Sequence, residues 1–165
     1  MIRQVFAALL FAGLIAALPA AAQDERTPTI QDKNGCKIYN PMPQGEETVK
    51  WSGKCRDGFA DGEGVLEWYI GGLMEERYEG TMSRGWAEGV GTFTSRQGVR
   101  YQGQWKKSMQ EGKGVSQSPD GSKYEGEWRA GKPHGRGTYR SPDGETIDGE
   151  WENGELKAGS NSRRI

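Results

Sequence analysis

Residues 124–139 read Tyr-Glu-Gly-Glu-Trp-Arg-Ala-Gly-Lys-Pro-His-Gly-Arg-Gly-Thr-Tyr, and this stretch decides the fold. Within it, Tyr124–Trp128 alternates large and polar side chains about a central glycine, which is the period of a β-strand. Arg129–His134 contains a glycine and a proline and is typical of a turn. Gly135–Arg140 then has the pattern of a second strand, so the stretch predicts one β-hairpin.

Alternation along the first strand also assigns its faces. Tyr124, Gly126 and Trp128 are predicted to share one face, and Glu125 and Glu127 the other. A glycine between two aromatic residues leaves room for rings to lie over the backbone. On the opposite face, carboxylates can pair with basic residues across neighbouring strands.

The hairpin recurs along the chain. Similar segments start at residues 51, 78, 101, 124 and 147, with spacings of 27, 23, 23 and 23. Counted from these starts, 21 of the 26 glycines fall at five fixed offsets. A fixed period of this length predicts a repeat architecture, whereas a disordered chain has no such register. The first copy carries four extra residues, and the fifth lacks the second glycine-rich strand and is predicted to be a terminal cap.

The composition excludes several other folds. Only 33% of the 165 residues are apolar, which is too few for a thick two-layer core. Glycine in this quantity disfavours a helical bundle, and its spacing is not that of collagen. The formal net charge is −1, and no basic stripe of the kind that binds nucleic acid stands out, so we expect no nucleic-acid partner.

The first residues have the pattern of an export signal. Arg3 precedes an apolar run over residues 5–18, and three alanines end at Ala22. This predicts a signal peptide cleaved after Ala22. The alternative is a membrane anchor, but the run is shorter than the roughly 20 residues that a bilayer requires. No cysteine follows for lipid attachment, so we expect a periplasmic or secreted protein.

Residues 124–139 closely resemble the MORN (membrane occupation and recognition nexus) repeat, and the resemblance extends over residues 51–157. It implies an all-β fold, a single-layer antiparallel sheet of successive β-hairpins that is elongated and follows a cleaved signal helix. Together with the leader pattern, the resemblance predicts a signal peptide (1–22), an N-terminal segment and edge cap (23–50), the repeats (51–157) and a flexible tail (158–165). In that family the repeats are protein-interaction scaffolds, and some members associate with phospholipid membranes.

The two cysteines are Cys36 and Cys55. An even pair in an exported chain is predicted to form a disulfide. The alternative is a metal pair, but His134 is the sole histidine and zinc needs more ligands. Cys55 occupies the repeat position of Trp128, so the disulfide would fasten the preceding segment onto the first edge of the sheet. We expect no metal and no cofactor.

The aromatic residues of the repeats are the candidate interaction surface, because a one-layer sheet has no second sheet to cover them. The alternative is that the rings pack on one another. Ser116 stands where the third repeat should have an aromatic residue, which is expected to weaken the packing of that hairpin. The candidate residues are Trp68, Tyr78, Tyr101, Trp105, Tyr124, Trp128, Tyr139 and Trp151.

The leading functional hypothesis is a non-catalytic, exported scaffold that binds a protein of the cell envelope. A second hypothesis is direct binding of phospholipid headgroups, which the near-neutral charge weakens. A third is an envelope enzyme, for which Glu125 with Glu127, or His134, would have to act. These carboxylates recur at surface positions and His134 is predicted to lie in a turn, so both favour structure over catalysis. An open edge at the C-terminal cap leaves room for a homodimer.

Overall fold

A computed structural model of the protein describes residues 27–158 and 163–164, and within these ranges all regular structure is β-strand. The predicted signal peptide lies outside the described residues. The sequence's prediction of an all-β sheet of successive hairpins is confirmed. The strands are β1 (Thr29–Gln31), β2 (Lys37–Tyr39), β3 (Glu47–Trp51), β4 (Lys54–Arg56), β5 (Phe59–Ile70), β6 (Leu73–Ser83), β7 (Trp86–Ser95), β8 (Arg100–Lys106), β9 (Met109–Gln117), β10 (Lys123–Arg129), β11 (Lys132–Arg140), β12 (Thr146–Glu152), β13 (Glu155–Leu156) and β14 (Arg163–Arg164).

From β5 to β13 the strands pair in chain order, each antiparallel to the next. Strands β3 and β4 both pair with β5, which the four extra residues make the longest strand in the described part of the chain. A single parallel contact joins β2 to β5, at Lys37 and Phe59. The predicted antiparallel order therefore holds across the repeats, and the parallel contact belongs to the segment that precedes them.

The hairpin turns are shorter than the sequence suggests. In the fourth repeat Arg129 pairs with Lys132, and the two turn residues between them, Ala130 and Gly131, have φ of 47° and 80°. Two consecutive positive φ values define the tight turn that matches the natural twist of a hairpin. The prediction that His134 lies in a turn is therefore wrong, since His134 lies in β11.

The N-terminal segment crosses the first two repeats and is held there by bonds of several kinds. The Lys37 amide donates to the carbonyl of Gly58 at 2.9 Å, and the Tyr39 amide donates to that of Gly85 at 3.1 Å. The ring of Tyr39 stacks on that of Trp86, with centroids 4.2 Å apart. This segment therefore covers the start of the repeat sheet, as an edge cap would.

The disulfide between Cys36 and Cys55 is confirmed, with the two Cα atoms 5.5 Å apart. Cys36 is buried immediately before β2, whereas Cys55 is exposed on β4. The bond joins the covering segment covalently to the first repeat.

We predict that replacing both cysteines with serine lowers the free energy of unfolding by about 3 kcal/mol, because the cross-link restricts the unfolded chain. Urea unfolding of the two proteins measures the difference, and reduction of the native protein should reproduce it. Unchanged stability, or free thiols at both positions in the exported protein by mass spectrometry, would contradict this expectation.

At the other end, the last strands cover part of the edge of β12. Trp151 pairs with Leu156 of β13, and Ile147 and Asp148 pair with Arg164 and Arg163 of β14. An unpaired strand edge attracts further strands, and here the chain supplies them itself. Arg163–Arg164 of the predicted tail over residues 158–165 thus pair with the sheet, and the flexibility of the tail stays a prediction.

Candidate functional site

The inner face of the sheet is built from one unit that repeats. In the third repeat the glycines of β8 and β9, Gly103 and Gly114, pair directly, and the ring of Tyr101 lies over them. A β-carbon at Gly114 would approach Tyr101 Cζ to 2.5 Å. The Tyr101 hydroxyl donates to the carbonyl of Gln104 at 3.0 Å. The same bond forms from Tyr78 to Thr81 and from Tyr124 to Glu127.

Three tryptophans, Trp105, Trp128 and Trp151, each join two repeats. The Trp128 ring meets Tyr101 of the preceding repeat and Tyr124 of its own edge to face, with centroids 5.1 and 5.3 Å apart. Its Nε1 donates to the carbonyl of Gly114 at 3.2 Å. Trp105 and Trp151 donate in the same way to Gly91 and Gly137. Edge-to-face geometry is favourable for aromatic pairs, so the rings form one continuous ladder.

This packing decides where the predicted interaction residues lie. Six of the eight are buried, which makes them the interior of the sheet: Trp68, Tyr78, Tyr101, Trp105, Tyr124 and Trp128. The structure therefore corrects the expectation for these six, because their burial leaves little surface for a partner. Five of the rings contact one another, and Trp68 lies beneath the N-terminal segment. Tyr139 and Trp151, at the C-terminal end of the ladder, are half-buried. They stay a predicted contact surface.

Burial also changes the acidity of the ladder tyrosines. Burial, with Glu127 nearby as the smaller cause, raises the pKa of Tyr124 to about 12. Burial likewise raises the pKa of Tyr78 and of Tyr101, and Glu88 and Glu111 respectively add to the effect. The neutral phenol is thus the form that the fold stabilises.

We predict a loss of stability at alkaline pH from these tyrosines. In the unfolded chain these tyrosines ionise near pH 10, whereas in the folded protein they keep their protons to higher pH. The stability that they contribute to the folded state is therefore fully present below about pH 10. It is lost as pH rises through the folded pKa values, because the unfolded state then binds fewer protons. Phenolate absorbance should show a delayed group of tyrosines, and one common transition near pH 10 would contradict this assignment.

The outer face carries the side chains between those of the ladder. Glu79, Gln102 and Glu125 are exposed at the same position in three successive repeats, and Val90 is 66% exposed. Lys123 Nζ pairs with Glu125 at 2.9 Å, and Arg77 pairs with Glu79 at 2.8 Å. No second layer formed by residues 27–158 covers this face.

The candidate catalytic groups do not converge. Glu125 pairs with Lys123, and Glu127 accepts the backbone amide of Arg136 at 3.2 Å. His134 is half-buried, and its Nδ1 atom has no hydrogen-bond partner. Among residues 27–158, no cluster of three or more histidine, cysteine or acidic side chains has the arrangement of a metal site.

A small apolar cavity lies between the N-terminal segment and the first two repeats. Ile38, Leu66, Trp68, Met82 and Phe93 are among the side chains that line it. Its volume of about 20 Å³ corresponds to little more than one water molecule. Trp68 Nε1 is buried here without a hydrogen-bond partner. Sequence reasoning did not find this cavity, because no periodic signal marks where the covering segment crosses the sheet.

These features define a repeat protein with a single-layer sheet. Each hairpin has a pair of glycines beneath a tyrosine ring, and a tryptophan that bonds to the preceding repeat. The MORN repeat model matches residues 52–73, 78–100, 101–123 and 124–146, which is more than half of the chain. The protein therefore belongs to the MORN repeat family. MORN repeats commonly mediate protein or membrane interactions, and the family is generally non-catalytic. No curated protein matches the chain.

The described residues contain no helix, and so none that could cross a membrane. The disulfide between Cys36 and Cys55 is compatible with a periplasmic or extracellular location, where such bonds persist.

Proposed function

We propose that the protein is a non-catalytic, exported scaffold that binds a protein of the cell envelope through the outer face of its sheet. One observation carries this proposal. The side chains of the inner face pack against one another, whereas those of the outer face stay exposed across four repeats. Exposed polar side chains around an apolar centre such as Val90 are typical of a non-obligate protein interface.

Export is supported by the leader pattern in residues 1–22 and by the disulfide. We expect the protein in the periplasmic or extracellular fraction of its host to begin at Gln23. Mass spectrometry of the fractionated protein tests this, and an intact Met1 on the whole population would contradict it.

The binding proposal is tested by affinity capture from the envelope fraction with two matched variants. Val90→Lys places a charge at the centre of the outer face, and Leu73→Lys places the same charge at an exposed hairpin tip. We expect the native protein and Leu73→Lys to retain the same envelope protein at a fixed ratio, and Val90→Lys to lose it. Recovery of no specific protein, or equal recovery by both variants, would contradict the proposal.

A further inference from the structure

The two-residue hairpin turns of successive repeats form one long edge of the sheet, which we call the turn edge. Its first four turns are Asp57–Gly58, Arg84–Gly85, Lys107–Ser108 and Ala130–Gly131, and a fifth, Asn153–Gly154, follows at the C-terminal end. Backbone bonds tie each turn after the first to the repeat before it, as from the Gly85 amide to the Ala60 carbonyl at 2.9 Å and from the Gly131 amide to the Gln110 carbonyl at 3.0 Å. Consecutive turns are two strands apart, a step of about 10 Å.

Basic side chains collect along this edge. They belong to the turns, to the strand ends beside them and to the N-terminal segment that meets the first turn: Lys37, Arg56, Arg84, Lys106, Lys107, Arg129 and Lys132. Arg56, Arg84, Lys106 and Arg129 are exposed. Each of the four turns has at least one of these cations within two residues of it.

Most of the carboxylates at this edge are held by backbone amides. The amides of Arg84, Lys107 and Ala130 donate to Asp61, Glu88 and Glu111 at 3.3, 3.0 and 3.1 Å. Asp57 is the other acidic residue at the four turns. Arg56, which is 3.5 Å from Asp61, keeps a 74% exposed side chain. At the first four turns the seven basic residues therefore outnumber the four acidic ones, and four of the cations are exposed, whereas exposed Glu152 and Glu155 flank the fifth turn.

The opposite edge has another charge pattern. Its loops carry Asp120, Asp143 and Glu145, and Arg96 bonds at 2.8 Å to Glu75 near the start of β6. The basic residues on the strands behind these loops alternate with carboxylates, as in the Arg77–Glu79 and Lys123–Glu125 pairs. The near-zero net charge of the chain thus combines a basic stretch along the first four turns with mixed charge elsewhere, a separation that the composition hides.

We propose that the turn edge binds an acidic polysaccharide chain laid across the four turns. The cations stand in single file on an edge one layer thick, which fits a linear polyanion rather than a broad surface. Because the amides of the second, third and fourth turns are already bonded within the sheet, the cationic side chains make the contacts with the ligand. This site is separate from the outer face and does not depend on its protein partner.

Two other polyanions fit the edge less well. Peripheral membrane binding gains strength from apolar side chains that insert, and the exposed Leu73, Met74 and Val90 lie away from the turn edge. Single-stranded nucleic acid stacks its bases on free aromatic rings. The rings nearest the edge, Phe59 and Trp86, are stacked against Tyr39.

The test measures binding of heparin and oligogalacturonate fragments of one length to the protein purified from an export host, at several salt concentrations. The double variant Arg84→Gln with Arg129→Gln removes two cations of the turn edge. The control, Arg77→Gln with Arg100→Gln, removes the same charge from the other ends of the strands. We expect the first variant to lose about tenfold in affinity with a shallower salt dependence, and the control to change little.

Several outcomes would overturn the proposal. One is an equal loss in both double variants, and another is the absence of polysaccharide binding by the native protein. Binding to phosphatidylglycerol vesicles in preference to both oligosaccharides would assign the edge to a membrane. Equal affinity for polyglutamate would show that charge density alone is recognised. Unchanged unfolding midpoints of both double variants serve as the folding control.

Discussion

Replacing Trp128 with alanine is expected to lower the free energy of unfolding by about 3–5 kcal/mol, the range for removal of a large buried aromatic residue. Trp128 is 8% exposed and lies between the rings of Tyr101 and Tyr124. Its removal opens a gap in the ladder and leaves the Gly114 carbonyl without its indole donor. Both losses fall where two repeats meet, so we expect the third and fourth repeats to unfold less cooperatively.

Trp151→Ala is the matched control for this prediction. Trp151 makes the same bond, to the Gly137 carbonyl at 3.0 Å, but it is half-buried at the end of the ladder. We expect a loss of about 1–2 kcal/mol there, because less apolar surface is returned to water. Urea unfolding followed by circular dichroism compares the two variants. A loss at Trp128 no larger than that at Trp151 would show that the ladder does not hold the repeats together.

Replacing Gly103 with alanine is expected to destabilise the protein by about 3 kcal/mol, at the upper end of the usual cost of overpacking. A β-carbon there would lie 2.5 Å from the Cα of Gly114 and 2.7 Å from the carbonyl oxygen of Lys113. Both atoms belong to the backbone of the paired strand, so no side-chain rotation relieves the clash. The two strands would have to separate, and the ring of Tyr101 that lies over them would have to shift.

Gly45→Ala separates this clash from the general effect of replacing glycine. Gly45 has no heavy atom within 4 Å of a built β-carbon and no positive φ, so we expect a change within about 0.5 kcal/mol. Thermal unfolding of Gly103→Ala, Gly45→Ala and the native protein makes the comparison. Equal midpoints for the two variants would contradict the close pairing of Gly103 with Gly114.

The repeat pattern was enough to predict most of the sheet. The 23-residue spacing located the hairpins, and the alternation along Tyr124–Trp128 assigned the faces that the structure has. Both signals are local, and a repeat fold is made of local contacts. The pairing of Cys36 with Cys55 also followed from the sequence, because the described residues offer no other cysteine.

Other features depended on contacts that no periodicity encodes. The sequence left open whether the rings face a partner or one another, since alternation identifies a face without saying what covers it. The structure shows that the rings pack on one another, because the ring of Trp128 contacts that of Tyr101 in the preceding repeat. The crossing of Tyr39 over Trp86 and the pairing of Arg163–Arg164 with β12 join segments far apart in the chain. The sequence did not predict the basic turn edge, because its cations are scattered through the chain and only the fold brings them to one edge.

Hydroxyl-radical footprinting with mass spectrometry of the native protein tests the central claim most directly, which is that the aromatic rows are interior and the outer face is free. Tyr78, Tyr101, Trp105, Tyr124 and Trp128 are predicted to be protected, and Val90 with the Leu73–Met74 tip to be oxidised rapidly. Rapid oxidation of the ladder rings in the folded protein would contradict the account, because they would then form an exposed surface.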